Sequence, residues 1–150
     1  MLTGVDVVRE QIRVAAGGAL PFRQQDVRHT GAAAECRVNA EDPQAGFRPT
    51  PGRLTGGPGV RVDSGYVQGD VVPPTYDSLI AGLVVWAPTR DEAIARADRA
   101  LAELAVEGPG VATTIPLLRT LLAHPRFAAG EHTTRFVDDL MADREPQPTA

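Results

Sequence analysis

The chain has 150 residues, 43% of them apolar and 23% charged, which suits a single folded domain with a core of its own. Its net charge of -4 offers no basic footprint for nucleic acid, and its longest apolar run, Leu79 to Ala87, is far too short to cross a membrane as a helix. A single cysteine excludes an internal disulfide and leads us to expect a reducing, cytoplasmic setting; Met1 is followed by an amphipathic pattern, not a signal-peptide core. All 15 basic residues are arginines, so no Schiff base, phosphate-loop lysine or lysine general base can come from this chain.

Val5, Val8, Ile12 and Ala15-Ala16 share one face of a predicted helix, which Thr3 or Asp6 can cap and Gly17-Gly18 end. A connector bent at Pro21 follows, as far as Thr30. From Ala33 the side chains alternate: Ala33, Glu35, Arg37 and Asn39 point one way, Ala34, Cys36 and Val38 the other. That is the period of a half-buried strand, and its polar side carries a carboxylate, a guanidinium and an amide in a row. Glu41-Asp42-Pro43 ends the strand, and Pro49, Pro51 and Gly52 stiffen the loop beyond it.

Val60–Asp63 and Tyr66–Gln68 read as short strands around Ser64-Gly65. Pro73-Pro74-Thr75-Tyr76-Asp77-Ser78 leads stiffly into Leu79–Trp86, whose unbroken apolar character predicts a strand covered on both faces. Thr89-Arg90-Asp91-Glu92 has capping-box spacing, and Ala93, Ile94, Ala97, Leu101 and Leu104 form the buried stripe of the helix it opens. Glu107-Gly108-Pro109-Gly110 breaks that helix. Thr114 before Pro116 starts another, running through Leu122 until Pro125, and a short helix from Arg135 to Met141 closes the fold. Pro146 and Pro148 predict a disordered tail over 143–150.

Glu35-Cys36-Arg37-Val38-Asn39-Ala40-Glu41-Asp42-Pro43, followed by Phe47-Arg48-Pro49-Thr50-Pro51-Gly52, resembles the C-terminal domain of biotin carboxylase. That domain belongs to the ATP-dependent component of acetyl-CoA, propionyl-CoA and pyruvate carboxylases. Thr3–Gly17, Gly59–Ser64, Val72–Trp86, Thr89–Leu101, Ala112–Phe127 and Thr133–Asp139 agree with the family and keep their order. Together they cover nearly the whole chain up to about Ala142. The resemblance implies an α+β fold, a mostly antiparallel sheet with packed helices. It divides the chain into a helix over 1–18 like the end of an ATP-grasp domain, a biotin carboxylase C-terminal-like domain over 19–142, and the tail. An acetyl-CoA carboxylase parent would place it in fatty acid biosynthesis.

Four residues are singled out by the resemblance. Arg37 falls on the arginine that faces the ureido oxygen of biotin, where a fixed guanidinium stabilises negative charge. The competing role is a surface ion pair with Glu35 or a cross-strand acid. Asp77 falls near the family's biotin pocket and its subunit contact, and could equally be a turn cap. Arg61 matches an arginine of the family's dimer contact, with Pro58 where many relatives carry an aromatic. Thr134 falls where a relative's side chain touches the adenine of ATP, and could instead cap the last helix. Ala32 stands where relatives usually have His. Cys36 alternates onto the apolar side and reads as a small buried hydrophobe. His29, His124 and His132 have no spacing that suggests a metal site.

In the resembled family the lysines, lid, metal-binding and bicarbonate-binding residues all lie on the ATP-grasp portion, ahead of the first helix of this chain. ATP, Mg and bicarbonate would therefore be held by that portion, and this chain would be inactive alone. The expected partners are that portion, a biotin carboxyl carrier protein and a second copy, with no nucleic acid and no membrane. The alternative is a stand-alone, non-catalytic remnant acting as an assembly or binding module of an acyl-CoA carboxylase. A small-molecule binding module unrelated to carboxylation is a third reading.

Overall fold

A computed structural model of the chain describes residues 1–41, 59–67, 70, 72, 77–106 and 112–142. The proline loop after Glu41, the Gly56-Gly57-Pro58 turn, the Pro73–Tyr76 segment, the Gly108-Pro109-Gly110 break and the 143–150 tail lie outside the described residues.

The first helix, α1 (Val7–Ala15), starts where Asp6 accepts a hydrogen bond from the Arg9 amide at 3.0 Å. It buries none of its residues, and Val7, Val8, Ile12 and Val14 are exposed. The apolar stripe expected from the sequence exists, but the described part of the chain does not cover it. A single 3-10 turn (Gln24–Asp26) follows, and the connector is held by the Trp86 indole, which donates to the Thr30 carbonyl at 2.8 Å.

Three strands form one antiparallel sheet: β1 (Ala32–Asn39), β2 (Val60–Ser64) and β3 (Leu79–Ala87), with β3 in the centre. The alternation of β1 holds as expected, with Cys36 and Val38 buried and Glu35 and Arg37 exposed. Two expectations need correction. β3 is buried on one face only, since Gly82, Val84 and Trp86 are half-buried. Its apolar run reflects a central position between two strands, not a second covering layer. Tyr66 and Val67 are not a strand, and β2 pairs with β3 rather than with the segment just after it. Ser64 turns the chain there, its hydroxyl donating to the Ile80 carbonyl at 3.0 Å and accepting from the Tyr66 amide at 3.1 Å.

Helix α2 (Arg90–Glu103) opens on Thr89, whose hydroxyl accepts from the Glu92 amide at 3.3 Å. Ala93, Ala97 and Leu101 are its buried residues, Leu104 is buried just past its end, and Ile94 is half-buried. Helix α3 (Ile115–Ala123), with Pro116 in its first turn, packs on α2 and β1; α4 (Pro125–Ala128) and α5 (Phe136–Ala142) complete the described helices. Arg119 grips Asp98 through two hydrogen bonds of 2.6 and 3.3 Å, tying α3 to α2.

The core lies between the sheet and the helices. Cys36, Val38, Leu83 and Val85 meet Ala97, Leu101, Leu104 and Leu122. Each fully buried Leu or Val stabilises the fold by about 1.5–3 kcal/mol relative to exposure. A smaller cluster of Ala40, Val72, Ile80 and Ala81 closes one end of the sheet. The opposite sheet face carries the charged residues of β1 and β2.

Candidate functional site

On that outward face the strand register aligns the charges. Glu35 faces Val84, which faces Arg61; Arg37 faces Gly82, which faces Asp63. Directly opposed residues of an antiparallel sheet project to the same side, so Glu35, Arg37, Arg61 and Asp63 share one surface. Arg61 Nη2 lies 2.8 Å from Asp63 Oδ2, an exposed pair on its own strand. Arg37 differs: among the described residues no acid lies within ion-pair distance of its guanidinium, and the side chain is exposed. The pairing with Glu35 that would have made Arg37 a structural residue is not formed. Glu35 reaches across to β3 instead, its Oε1 close over Gly82, the residue opposite Arg37, 3.3 Å from where a Cβ would stand.

Asp77 lies at the start of β3, and its Oδ1 accepts from the Leu79 amide at 3.0 Å. It does act as a turn cap, and it is exposed. Thr134 is exposed in the turn before α5 and does not cap it. Thr133 closes the turn ahead of the helix, its hydroxyl accepting from the Arg135 amide at 3.3 Å and its carbonyl from the Phe136 amide at 3.0 Å. The helix begins one residue later than expected, so its cap position passes to Arg135, whose carbonyl accepts from the Asp139 amide at 2.9 Å.

Cys36 is 4% exposed, and burial, helped by the charge of Glu35, pushes its thiol from 9.0 up to about 11. It is protonated at neutral pH and unsuited to be a nucleophile. Among the described residues no three His, Cys, Asp or Glu side chains are gathered so as to hold a metal ion. No described helix is long and apolar enough to cross a membrane.

A network that sequence reading did not find joins β1 to the start of β3. Asn39 Nδ2 donates to Ser78 Oγ at 3.1 Å and to Glu41 Oε1 at 3.3 Å, while Ser78 Oγ donates to Glu41. Asn39 and Glu41 are near neighbours in the chain, but Ser78 lies 37 residues beyond Glu41, and only the strand register brings it to them.

Helices on one side of a three-stranded antiparallel sheet, and an open charged face on the other, define an α+β domain whose candidate cation has no acid partner among the described residues. The chain belongs to the biotin carboxylase C-terminal domain family, whose model matches residues 35–139. It is 48% identical over 143 residues to biotin carboxylase 1 of Bacillus subtilis, covering 92% of this chain and 31% of that protein. The biotin carboxylase subunit of a pyruvate carboxylase superposes with a TM-score of 0.86 at 43% identity, covering 98% of this chain and 33% of the other. The biotin carboxylase domain dimer of the Hydrogenobacter thermophilus 2-oxoglutarate carboxylase, in complex with MgADP, ADP and bicarbonate, gives a TM-score of 0.84 at 44% identity. That match covers 93% of this chain and 31% of the other. The chain thus spans about a third of the length of the relatives it matches.

Proposed function

We propose that this chain supplies the C-terminal share of a composite biotin carboxylase site and does not catalyse on its own. Arg37 is the catalytic residue it contributes, aimed at the ureido oxygen of biotin. The observation that carries this reading is the Arg37 guanidinium itself, exposed on the sheet face with no acid within reach among the described residues. Such a group is free to meet negative charge that develops on an oxygen, and its effect grows as the completing partner excludes water. The ureido group of biotin supplies the nitrogen that takes up the carboxyl group.

In the same reading Asp77 borders the biotin site, Thr134 approaches the adenine of ATP, and Arg61 belongs to a contact with a second copy. The dimeric relative supports the last. ATP, Mg and bicarbonate are held by an ATP-grasp portion, to which α1 with its uncovered apolar residues forms the joint. A biotin carboxyl carrier protein brings the biotin. A reducing, cytoplasmic compartment suits the lone buried thiol.

The test mixes the purified chain with an ATP-grasp portion from a relative and follows ATP-dependent carboxylation of free biotin. The chain alone gives no biotin-dependent ATP cleavage. The mixture restores carboxylation, and Arg37→Ala lowers it by about 10²-fold or more. Turnover by the chain alone at the rate of an intact enzyme, or full activity in Arg37→Ala, overturns the reading. Binding without restored carboxylation supports instead a non-catalytic assembly module.

A further inference from the structure

The sheet register breaks beside the two residues assigned to biotin. Val38 faces Ala81 but Asn39 faces Leu79, so Ile80 is an extra residue on β3. A bulge of this kind bends its strand and re-aims what adjoins it. Ile80 and Ala81 are buried in succession, against the alternation of the rest of β3, and Asp77-Ser78 stand just before the break.

The Asn39, Ser78 and Glu41 side chains close over this break. Asn39 gives both amide donors, and Ser78 gives its hydroxyl hydrogen, so the donors of this clasp are fully committed. Flipping the amide would set its oxygen against the Glu41 carboxylate. In the orientation it takes, Asn39 Oδ1 is buried without a hydrogen-bond partner. An orientation kept while leaving an oxygen unsatisfied is one that the neighbouring carboxylate imposes.

We propose that Asn39 is a positioning residue which, through Ser78 and Glu41, fixes the placement of Asp77 relative to Arg37. The proposal rests on the assignment of those two residues to the biotin site. Arg37 lies two positions before Asn39 on the same side of β1, and Asp77 adjoins Ser78. Past the end of the ladder the backbone adds a bond from the Ala40 amide to the Ser78 carbonyl at 2.8 Å. Without the side-chain clasp that bond and the Asp77 cap on the Leu79 amide remain, but nothing then ties the Ser78 side chain across the bulge to β1. Neither Asn39 nor Ser78 has to touch substrate for this.

The test uses the full chain with an ATP-grasp portion and free biotin, comparing Asn39→Asp, Ser78→Ala and Ser78→Thr with Arg37→Ala. Asn39→Asp keeps the shape but replaces the donating amide with a second carboxylate. Its kcat/KM for biotin falls by roughly tenfold or more while KM for ATP is unchanged, because misplacement affects only the biotin step. Ser78→Ala behaves alike, and Ser78→Thr, which keeps the hydroxyl, returns toward the parent chain. Melting curves show that each variant is folded. On the chain alone, amide hydrogen exchange at Ala40 and Leu79 speeds up in Asn39→Asp and Ser78→Ala but not in Ser78→Thr. Loss of activity in Arg37→Ala alone overturns the positioning role and leaves the biotin assignment standing. Unchanged exchange in Asn39→Asp overturns it whatever the activity shows. Full activity in Arg37→Ala, or no carboxylation by the parent mixture, removes the biotin assignment and this proposal with it.

Discussion

The Thr114 hydroxyl donates to the Arg37 carbonyl at 3.3 Å although 77 residues separate them, and the same oxygen accepts from the Asn39 amide at 2.9 Å. The Thr114 amide adds a bond to the Asn39 carbonyl at 3.0 Å. β1 is an edge strand, so its outer N–H and C=O groups face away from β3. The residue that opens α3 stands in for a fourth strand there, and it does so at the stretch that presents Arg37.

Thr114→Val keeps the shape and removes both hydroxyl bonds. The loss strands an amide and a carbonyl at a half-buried edge, and should lower stability by about 1–3 kcal/mol. Thr114→Ser, which keeps the oxygen, should stay within about 0.5 kcal/mol of the parent. Urea unfolding of the chain alone measures both. Equal midpoints for Val and the parent would mean that water replaces the hydroxyl at no cost.

Gly31 precedes β1 with φ +73, and a Cβ there would stand 2.3 Å from the Ala87 carbonyl oxygen and 2.8 Å from the Trp86 ring. Both neighbours belong to the sheet and cannot swing aside as a surface side chain would. Gly31→Ala therefore combines left-handed backbone strain with a clash, and should destabilise by about 2 kcal/mol or more. Gly82→Ala is the control. Its nearest neighbour is the movable end of Glu35 at 3.3 Å, so its midpoint in urea should stay near that of the parent.

How much of this was legible beforehand follows from the range of each interaction. The alternation of β1 and the stripe of α2 are local periodicities, and they appear as read. The hairpin expected at Ser64-Gly65 failed because strand choice is not local: β2 finds a better apolar partner in β3 than in Tyr66-Val67. The covering of β3 was overread for a related reason, since a central strand and a doubly covered strand look alike in sequence. Arg37 was singled out through its motif, and no spacing rule revealed that Glu35 reaches over Gly82 instead of pairing with it. The Asn39–Ser78–Glu41 network depends on a bulge, which leaves no signature in a single strand.

Cys36 gives a prediction in pH. An acid whose pKa is raised by folding keeps its proton longer in the folded state, so the unfolded chain ionises first. Stability from this thiol is complete below its ordinary value of 9.0 and is lost as pH rises toward about 11. The loss should reach about 2 kcal/mol across that window. Urea midpoints between pH 8 and 11 should fall for the parent chain and fall less for Cys36→Ala. At neutral pH iodoacetamide should label the unfolded chain but scarcely the native one. Rapid native labelling would mean that the thiol is more open than its position between β1 and the helices implies.

Helix α1 separates stability from assembly. Ile12 is 67% exposed and Val8 65%, and a groove of about 420 Å³ on the helix's other flank is lined by Val7, Val14, Leu20 and Phe22. An exposed apolar surface of this kind marks a contact with another body. Val8→Asp with Ile12→Asp removes no buried contact, so the melting temperature of the chain alone should shift by no more than a degree or two. If α1 is the joint to an ATP-grasp portion, the same pair of charges would be desolvated on docking. Affinity measured by calorimetry should then drop by about tenfold or more, because an unpaired buried charge costs several kcal/mol. Restored carboxylation at limiting concentrations should fall in parallel, and recover when the ATP-grasp portion is supplied in excess. Unchanged affinity would move the joint elsewhere on the chain and leave the apolar face of α1 to a different contact.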